Sequence, residues 1–375
     1  MVRRSPIALL ALVAISACGH AGRAPEPVRS AREAFVHGVD SLVTLEPFRN
    51  AHWGVLVVDP ERGDTLYSHN AGKLFMPASN MKIVTSTAAT MLLGMDYRYV
   101  TTLAARGTVK DSVLDGDLLV YGRGDPTVSD HMLGDAMIPL RTMAESLATR
   151  GIRRITGRVA LGANVFPGPT LGFGWSWDDL EGADGAGVDE LLFNEGFALA
   201  HVRGGAQPGD AVTATTSPAR TYPVLRVLAH TVARTDTAAL RADPLRIVKD
   251  TVRGDVRVLG TIAAGDTTSL EVTFTDPDAA YLAALREALL SRGIAVEDGA
   301  TDTTQAVDSL FRVQSPPLRQ VLAALLKPSQ NQIAEMLFRT IGLVAAGTGR
   351  GDSARKVEER MLAGWGIPAD GYVIR

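Results

Sequence analysis

Cysteine is almost absent from this sequence: there is one, Cys18, among 375 residues. A single thiol excludes an intramolecular disulfide and a cysteine-rich metal site. An excess of one charge is missing too. Lys+Arg 38 against Asp+Glu 41 leaves a net charge of −3, so there is no basic footprint for nucleic acid. Long apolar runs are lacking, which excludes a polytopic membrane protein. The seven histidines show no H-E-x-x-H spacing for a zinc peptidase, and no G-x-S-x-G elbow marks an α/β-hydrolase. No internal repeat or low-complexity block occurs. What remains is ordinary: 46% hydrophobic and 21% charged residues, enough for two or three globular domains with a substantial core.

The one cysteine has a telling position. Arg3 and Arg4 precede an apolar run from Ile7 to Ile15, too short to span a bilayer, and the small residues Ser16 and Ala17 follow it. This is the pattern of an export signal. Ile15-Ser16-Ala17-Cys18 resembles a bacterial lipobox, in which the cysteine is acylated and becomes the mature N-terminus. Residues 1–17 are therefore expected to be a lipoprotein signal peptide, with Cys18 a lipid anchor to a membrane. Gly19 in place of Asp points to the outer membrane, facing the periplasm. Residues 18–30, small, polar and Pro-containing, read as a tether.

Beyond the tether, spacing predicts a helix over Arg32–Leu45 and then a hairpin, with a buried strand at Trp53–Val58, a turn, and a second strand at Thr65–Tyr67. A buried helix follows over Ser79–Leu93. Short β-like runs come next (Val100–Ala105, Val113–Val120, Arg154–Leu161), interrupted by a helix near Ile138–Arg150. Residues 197–275 are rich in strands and turns. Helical pattern returns at Asp278–Arg292, Leu318–Leu326, Gln330–Val344 and Ser353–Gly364. Helical ends around a β-rich middle predict an α+β fold. The expected organisation is a discontinuous domain (31–97 with 276–375) carrying two insertions, 98–196 and 197–275.

Chemistry concentrates in two short motifs. Ser79-Asn80-Met81-Lys82 is an S-x-x-K at a helix start, where positions i and i+3 share one face. A serine hydroxyl needs a base before it becomes a nucleophile. A lysine serves as that base only when desolvation or a neighbouring cation removes its proton. Met81, Ile83 and Val84 around Lys82 make desolvation the expected device, and backbone N–H groups at the helix start are suited to an oxyanion. The same four residues also read as a capping serine with a snorkelling lysine. A second copy, Ser353-Ala354-Arg355-Lys356, reads as structural: Asp352 or Ser353 as an N-cap, and Arg355, Glu358, Glu359 and Arg360 as a solvated face. Far downstream, Ser329-Gln330-Asn331 is an S-x-N at a helix junction. Its hydroxyl is placed to relay a proton, and its amide to bind a substrate carbonyl and steer the lysine. Ser68-His69-Asn70, another S-x-N, reads as a turn.

The order of these motifs is that of penicillin-recognising serine enzymes. Two further segments narrow the resemblance. Gly122-Arg123-Gly124-Asp125-Pro126-Thr127 and Gly174-Trp175-Ser176-Trp177-Asp178-Asp179 resemble the G-x-G-D-P-T and G-W-x-W-x-D segments of the D-alanyl-D-alanine carboxypeptidase/endopeptidase family, the class C low-molecular-mass penicillin-binding proteins. The long insertion between the serine motifs is itself a trait of that family. Neither segment is catalytic there. Arg123-Gly124-Asp125 is read as a buried turn, and Trp175 and Trp177 as packing residues, with sugar stacking as the other reading. The resemblance implies a serine β-lactamase/transpeptidase-like domain with a large β-rich insertion, working without a metal or organic cofactor. It implies peptidoglycan peptides as substrate and β-lactams as inhibitors. Ser79 would be the nucleophile, Lys82 the base, Ser329 the proton relay and Asn331 the positioning amide. A serine β-lactamase and a non-catalytic murein-binding lipoprotein are the alternatives.

The sequence departs from the family in two places. None of the six lysines begins a Lys-Thr-Gly, the third motif, which in the family lines the site on a strand. Gly347-Thr348-Gly349-Arg350 is a poor substitute, lying in a loop between helices. In family members the stretch resembling Ala369-Asp370-Gly371-Tyr372 leads into further strands, so the expectation is a chain cut short of them, and insoluble or inactive alone. Relatives also often carry an acidic residue about four positions before the residue resembling Phe166, where this chain offers only Gly162, Ala163 and Asn164.

Overall fold

The computed structural model describes residues 30–374 apart from 173, 181 and 250–254. The expected signal peptide, Cys18 and almost all of the tether lie outside the described residues. Among the described residues, no helix is long and apolar enough to cross a membrane. The chain divides between Phe75 and Met76 into two compact units.

The first unit holds one helix and one hairpin. Helix α1 (Ala31–Val43) starts on a capping box in which Ser30 and Glu33 bond each other's backbone N–H. Strands β1 (Val55–Asp59) and β2 (Asp64–His69) pair antiparallel. Asp59 holds the turn by accepting from the amides of Glu61 and Arg62. Tyr67 donates to Asp40 of α1 at 2.6 Å. The expected burial of β1 is only half present: Leu56 and Val58 are exposed, since none of the described residues covers that face of the hairpin. Asn70 closes the second S-x-N as a turn, its Nδ2 donating to the carbonyl of Trp53.

The second unit begins with α2 (Met81–Leu93), rich in Ala, Met, Thr and Leu and closed by Gly94 at φ 81°. The chain then builds a hairpin, β3 (Val100–Lys110) and β4 (Val113–Tyr121), through a two-residue turn. Asp111 and Ser112 both take positive φ there, the geometry that matches strand twist. After the short α3 (Asp130–Leu133) and α4 (Met137–Thr149), β5 (Arg154–Ile155) and β6 (Val159–Leu161) both run parallel to β4. Three small sheets follow. One orders β14-β7-β8, formed by β7 (Phe197–Arg203), β8 (Thr213–Ser217) and β14 (Thr267–Thr273). Another joins β9 (Leu225–Val227), β11 (Arg246–Lys249) and β12 (Val256–Leu259). The third pairs β10 (His230–Val232) with β13 (Thr261–Ala263), which packs against the single short helix α5 (Thr237–Ala242).

Residues from 276 onward do not return directly to the helical part, as the domain reading expected. Helix α6 (Pro277–Ser291) packs on α4, and β15 (Ala295–Val296) and β16 (Val307–Gln314) complete the sheet β15-β5-β4-β3-β16. The physical reason is the apolar face of α6. Tyr281, Leu285 and Leu289 are buried in one cluster with Leu103, Leu118, Leu140 and Leu147. The same cluster takes in Ala198, Ala200 and Phe274, so the core continues across the expected boundary at 196/197. Only at α7 (Leu318–Leu326), α8 (Asn331–Ala346) and α9 (Gly351–Gly364) does the chain rejoin α2. Leu318, Val321, Leu325, Ile333 and Leu337 bury against Ala89 and Tyr99.

Candidate active site

Ser79 lies in a one-turn 3-10 helix, Ala78–Asn80, immediately before α2, and is exposed. The expected helix over Ser79–Leu93 therefore begins two residues later, after a tighter turn entered through Ala78 at φ 46°. Lys82, the second residue of α2, is 7% exposed. Its Nζ lies 3.1 Å from Ser79 Oγ, 3.1 Å from Ser329 Oγ and 2.6 Å from Asn331 Oδ1. All four residues singled out in the sequence thus meet at one nitrogen.

The lysine is desolvated, though not by the neighbours expected to do it. Ile83 is 59% exposed, because adjacent helical residues point about 100° apart. Lys82 is covered instead by α8, which packs across α2 and carries Asn331. Burial lowers the Lys82 pKa, and the negative charge of Asp184 opposes it. A neutral amine has two N–H donors and one lone pair. Asn331 Oδ1 can only accept, so one N–H is committed to it. Ser329 Oγ can take the other, so in the neutral form the lone pair would be left for the hydroxyl of Ser79, whereas the ammonium donates to it. Ser329 is held at φ 63°, a left-handed conformation that costs a serine about 1–3 kcal/mol.

The S-x-N segment is gripped from a third side. Asn331 Nδ2 donates to the carbonyl of Asp184 at 3.0 Å, which fixes the orientation of the amide. Buried Gln332 donates to the carbonyls of Ala183 and Ala186. Gln330 caps α8, its Oε1 accepting from the Ile333 amide at 2.8 Å. The helix start expected at this motif is present, with Gln330 as the cap. Gln332 and the 183–186 loop were not foreseen: backbone carbonyls carry no side-chain signature.

Ser79 and Lys82 open onto a cavity of about 1010 Å³ that Trp175, Arg339, Arg350 and Glu358 also line. Trp175 is half-buried and lines this cavity. Its indole lies against Gly172, where a Cβ would collide with it. The side chain of Trp177 lies outside the described residues. Asp125 and Thr127 are buried and Arg123 exposed, as a turn requires.

The second S-x-x-K lies within α9, whose N-cap is Arg350 and not Asp352 or Ser353. Glu358, expected on a solvated face, is 1% exposed. It follows buried Ala354 by four residues, so both face inward against α2 and α8. Burial pushes its carboxyl up to about 7, with Thr85 opposing and the charge of Glu335 adding. The loop Gly347–Arg350 does join α8 to α9, and Arg350 contributes to the cavity wall. Among the described residues no group of His, Cys, Asp and Glu is arranged to hold a metal ion.

A buried lysine between two serines and an asparagine, on packed helices beside a mixed β structure, defines a transpeptidase-like protein. The fold matches the crystal structure of penicillin binding protein 4 (dacB) from Haemophilus influenzae with a TM-score of 0.70 at 23% identity, over 86% of this chain and 69% of that one. The D-Ala-D-Ala carboxypeptidase 3 (S13) family matches residues 36–375, and the chain belongs to that family. It is 30% identical over 348 residues to a D-alanyl-D-alanine carboxypeptidase of Actinomadura sp. (strain R39), covering 90% of this chain and 62% of the relative. It is 25% identical over 293 residues to the D-alanyl-D-alanine carboxypeptidase DacB of Haemophilus influenzae, covering 77% of this chain and 58% of that protein. The chain thus spans about three-fifths of the length of each.

Proposed function

We propose that this protein is a serine D-alanyl-D-alanine carboxypeptidase that also cleaves peptide cross-links of peptidoglycan as an endopeptidase. The observation that carries this is the position of Lys82 Nζ within hydrogen-bond reach of Ser79, Ser329 and Asn331 at once. Ser79 Oγ attacks the carbonyl carbon of the penultimate D-alanine while its proton passes to Lys82 Nζ. The C–N bond then breaks, and the proton passes by way of Ser329 Oγ to the leaving amine. Water hydrolyses the resulting ester, releasing the shortened peptide and restoring Ser79. Asn331 holds the lysine and faces the substrate.

Family membership supports the substrate class, and the second Haemophilus influenzae crystal structure, described as a complex with a novel β-lactam, supports β-lactams as acylating inhibitors. The exported, periplasmic location and the anchor at Cys18 belong to the same proposal. They rest on the N-terminal sequence, and loss of labelled fatty acid from a Cys18→Ser variant would support the anchor. The second reading is a non-catalytic murein-binding lipoprotein. Release of D-alanine from a murein pentapeptide by the whole gene product, lost in Ser79→Ala, supports the enzyme. No release and no labelling by a fluorescent penicillin would favour the binding protein, and rapid loss of that label a β-lactamase.

A further inference from the structure

Glu195 is 7% exposed and sits at φ 58°, directly after Asn194 at φ 47°. Two consecutive non-glycine residues in the left-handed region mark a backbone held by its surroundings. The carboxylate is where the holding happens. Oε1 accepts from Ser129 Oγ at 3.0 Å and lies 3.1 Å from His131 Nδ1, both at the start of α3. Oε2 accepts from Gln330 Nε2 at 3.0 Å. Gln330 is the middle residue of the S-x-N segment, and its amide is fully committed. Its Nε2 also donates to Gln332 Oε1 at 2.7 Å, and its Oε1 caps α8 through the Ile333 amide.

We propose that Glu195 is a positioning residue that fixes Gln330 and, through it, the placement of Ser329 and Asn331 around Lys82. This rests on the role proposed above for that site. Without Glu195, one donor of Gln330 loses its buried acceptor, and the amide can rotate away from Ile333. The residues on either side of Gln330 are two of the three partners of the lysine. Glutamine can replace the carboxylate: its Oε1 accepts from Gln330 while its Nε2 donates to Ser129 Oγ. Alanine cannot.

The test uses the whole gene product as wild type, Glu195→Ala, Glu195→Gln, Gln330→Ala and the double alanine variant. One measurement is the second-order rate at which benzylpenicillin acylates Ser79, followed by intact mass. The other is backbone hydrogen exchange over residues 329–333 relative to 318–326. Glu195→Ala and Gln330→Ala are each expected to slow acylation roughly ten- to a hundredfold. The double variant should be no slower than the slower single one, and Glu195→Gln should stay within about threefold of wild type. Exchange over 329–333 should rise in Glu195→Ala and not in Glu195→Gln. Additive losses, a glutamine variant as slow as the alanine one, or unchanged exchange would overturn the proposal. A wild-type protein that benzylpenicillin does not acylate would remove the proposed reaction, while the exchange measurement would still decide the positioning.

Discussion

Lys82 Nζ and Asn331 Oδ1 lie 2.6 Å apart, from residues 249 positions distant in the chain. The partner is a neutral amide whose other end is tied to the Asp184 carbonyl. That neutrality matters, since the amide adds no negative charge to that of Asp184, and burial still lowers the lysine pKa. Asn331→Asp would put a carboxylate at the same place and favour the ammonium. The expected result is a rise in the pH midpoint of Ser79 acylation by benzylpenicillin, with the rate near neutrality falling roughly ten- to a hundredfold. A variant with the wild-type midpoint would show that Asn331 does not govern the lysine.

Gly124, the second glycine of the G-x-G-D-P-T segment, has φ 79°, and a Cβ there would lie 2.5 Å from Phe166 Cζ. Phe166 is fully buried with Val188, Leu192 and Met336, the last of these on α8. Gly124→Ala would therefore meet both backbone strain and overpacking, at a cost of about 1–3 kcal/mol. A melting temperature lower by several degrees is expected. An unchanged melt would show that Phe166 has room to move.

Much of the site was legible because its chemistry is local. An i, i+3 spacing from the 3-10 turn into the first turn of α2 brings Ser79 to Lys82 through local backbone geometry. Helix α7 matches its expected bounds because Leu318, Val321, Leu322 and Leu325 repeat at helical spacing and all are buried. The pairing of β16 with β3 was not legible: nothing in Val307–Gln314 states which distant strand it will join. Glu358 was misplaced for a related reason. Its immediate neighbours are charged, but the helices packed against it decide its burial. The 183–186 clamp on Asn331 and Gln332 acts through main-chain carbonyls, which any sequence supplies.

Asp117 ties the late segment to the sheet. It is fully buried and accepts from Thr301 Oγ1 at 2.7 Å, from the Arg158 amide at 2.8 Å, and from Arg106. Burial works to raise its pKa, but these donors outweigh it and hold the carboxyl below its ordinary value. Asp117→Ala leaves Arg106 without its carboxylate and is expected to destabilise by about 3–5 kcal/mol. The melt would fall accordingly, and limited proteolysis would cut 299–306 faster. A loss below about 1 kcal/mol would place the pair among weak surface ion pairs.

Several buried carboxyls are shifted in the opposite sense, Asp278, Glu358 and Asp125 the furthest. Burial pushes Asp278 up to about 8, helped by the charges of Asp189, Glu190 and Asp276 and opposed by the Leu191 amide. Burial likewise pushes Glu358 to about 7 and Asp125 to about 6. A folded-state pKa above the unfolded value means the folded protein binds the proton more tightly. The stability each group contributes is thus complete below the unfolded carboxyl range, near pH 4, and is lost as pH rises through its folded value. The melting temperature should fall between about pH 5 and about pH 9. Asp278→Asn keeps an oxygen for the Leu191 amide, 3.0 Å away in the wild type, and cannot ionise. Its melt should match the wild type near pH 5 and exceed it by roughly a few degrees near pH 9. A variant whose melting temperature falls as steeply as that of the wild type would show that Asp278 carries no proton linkage.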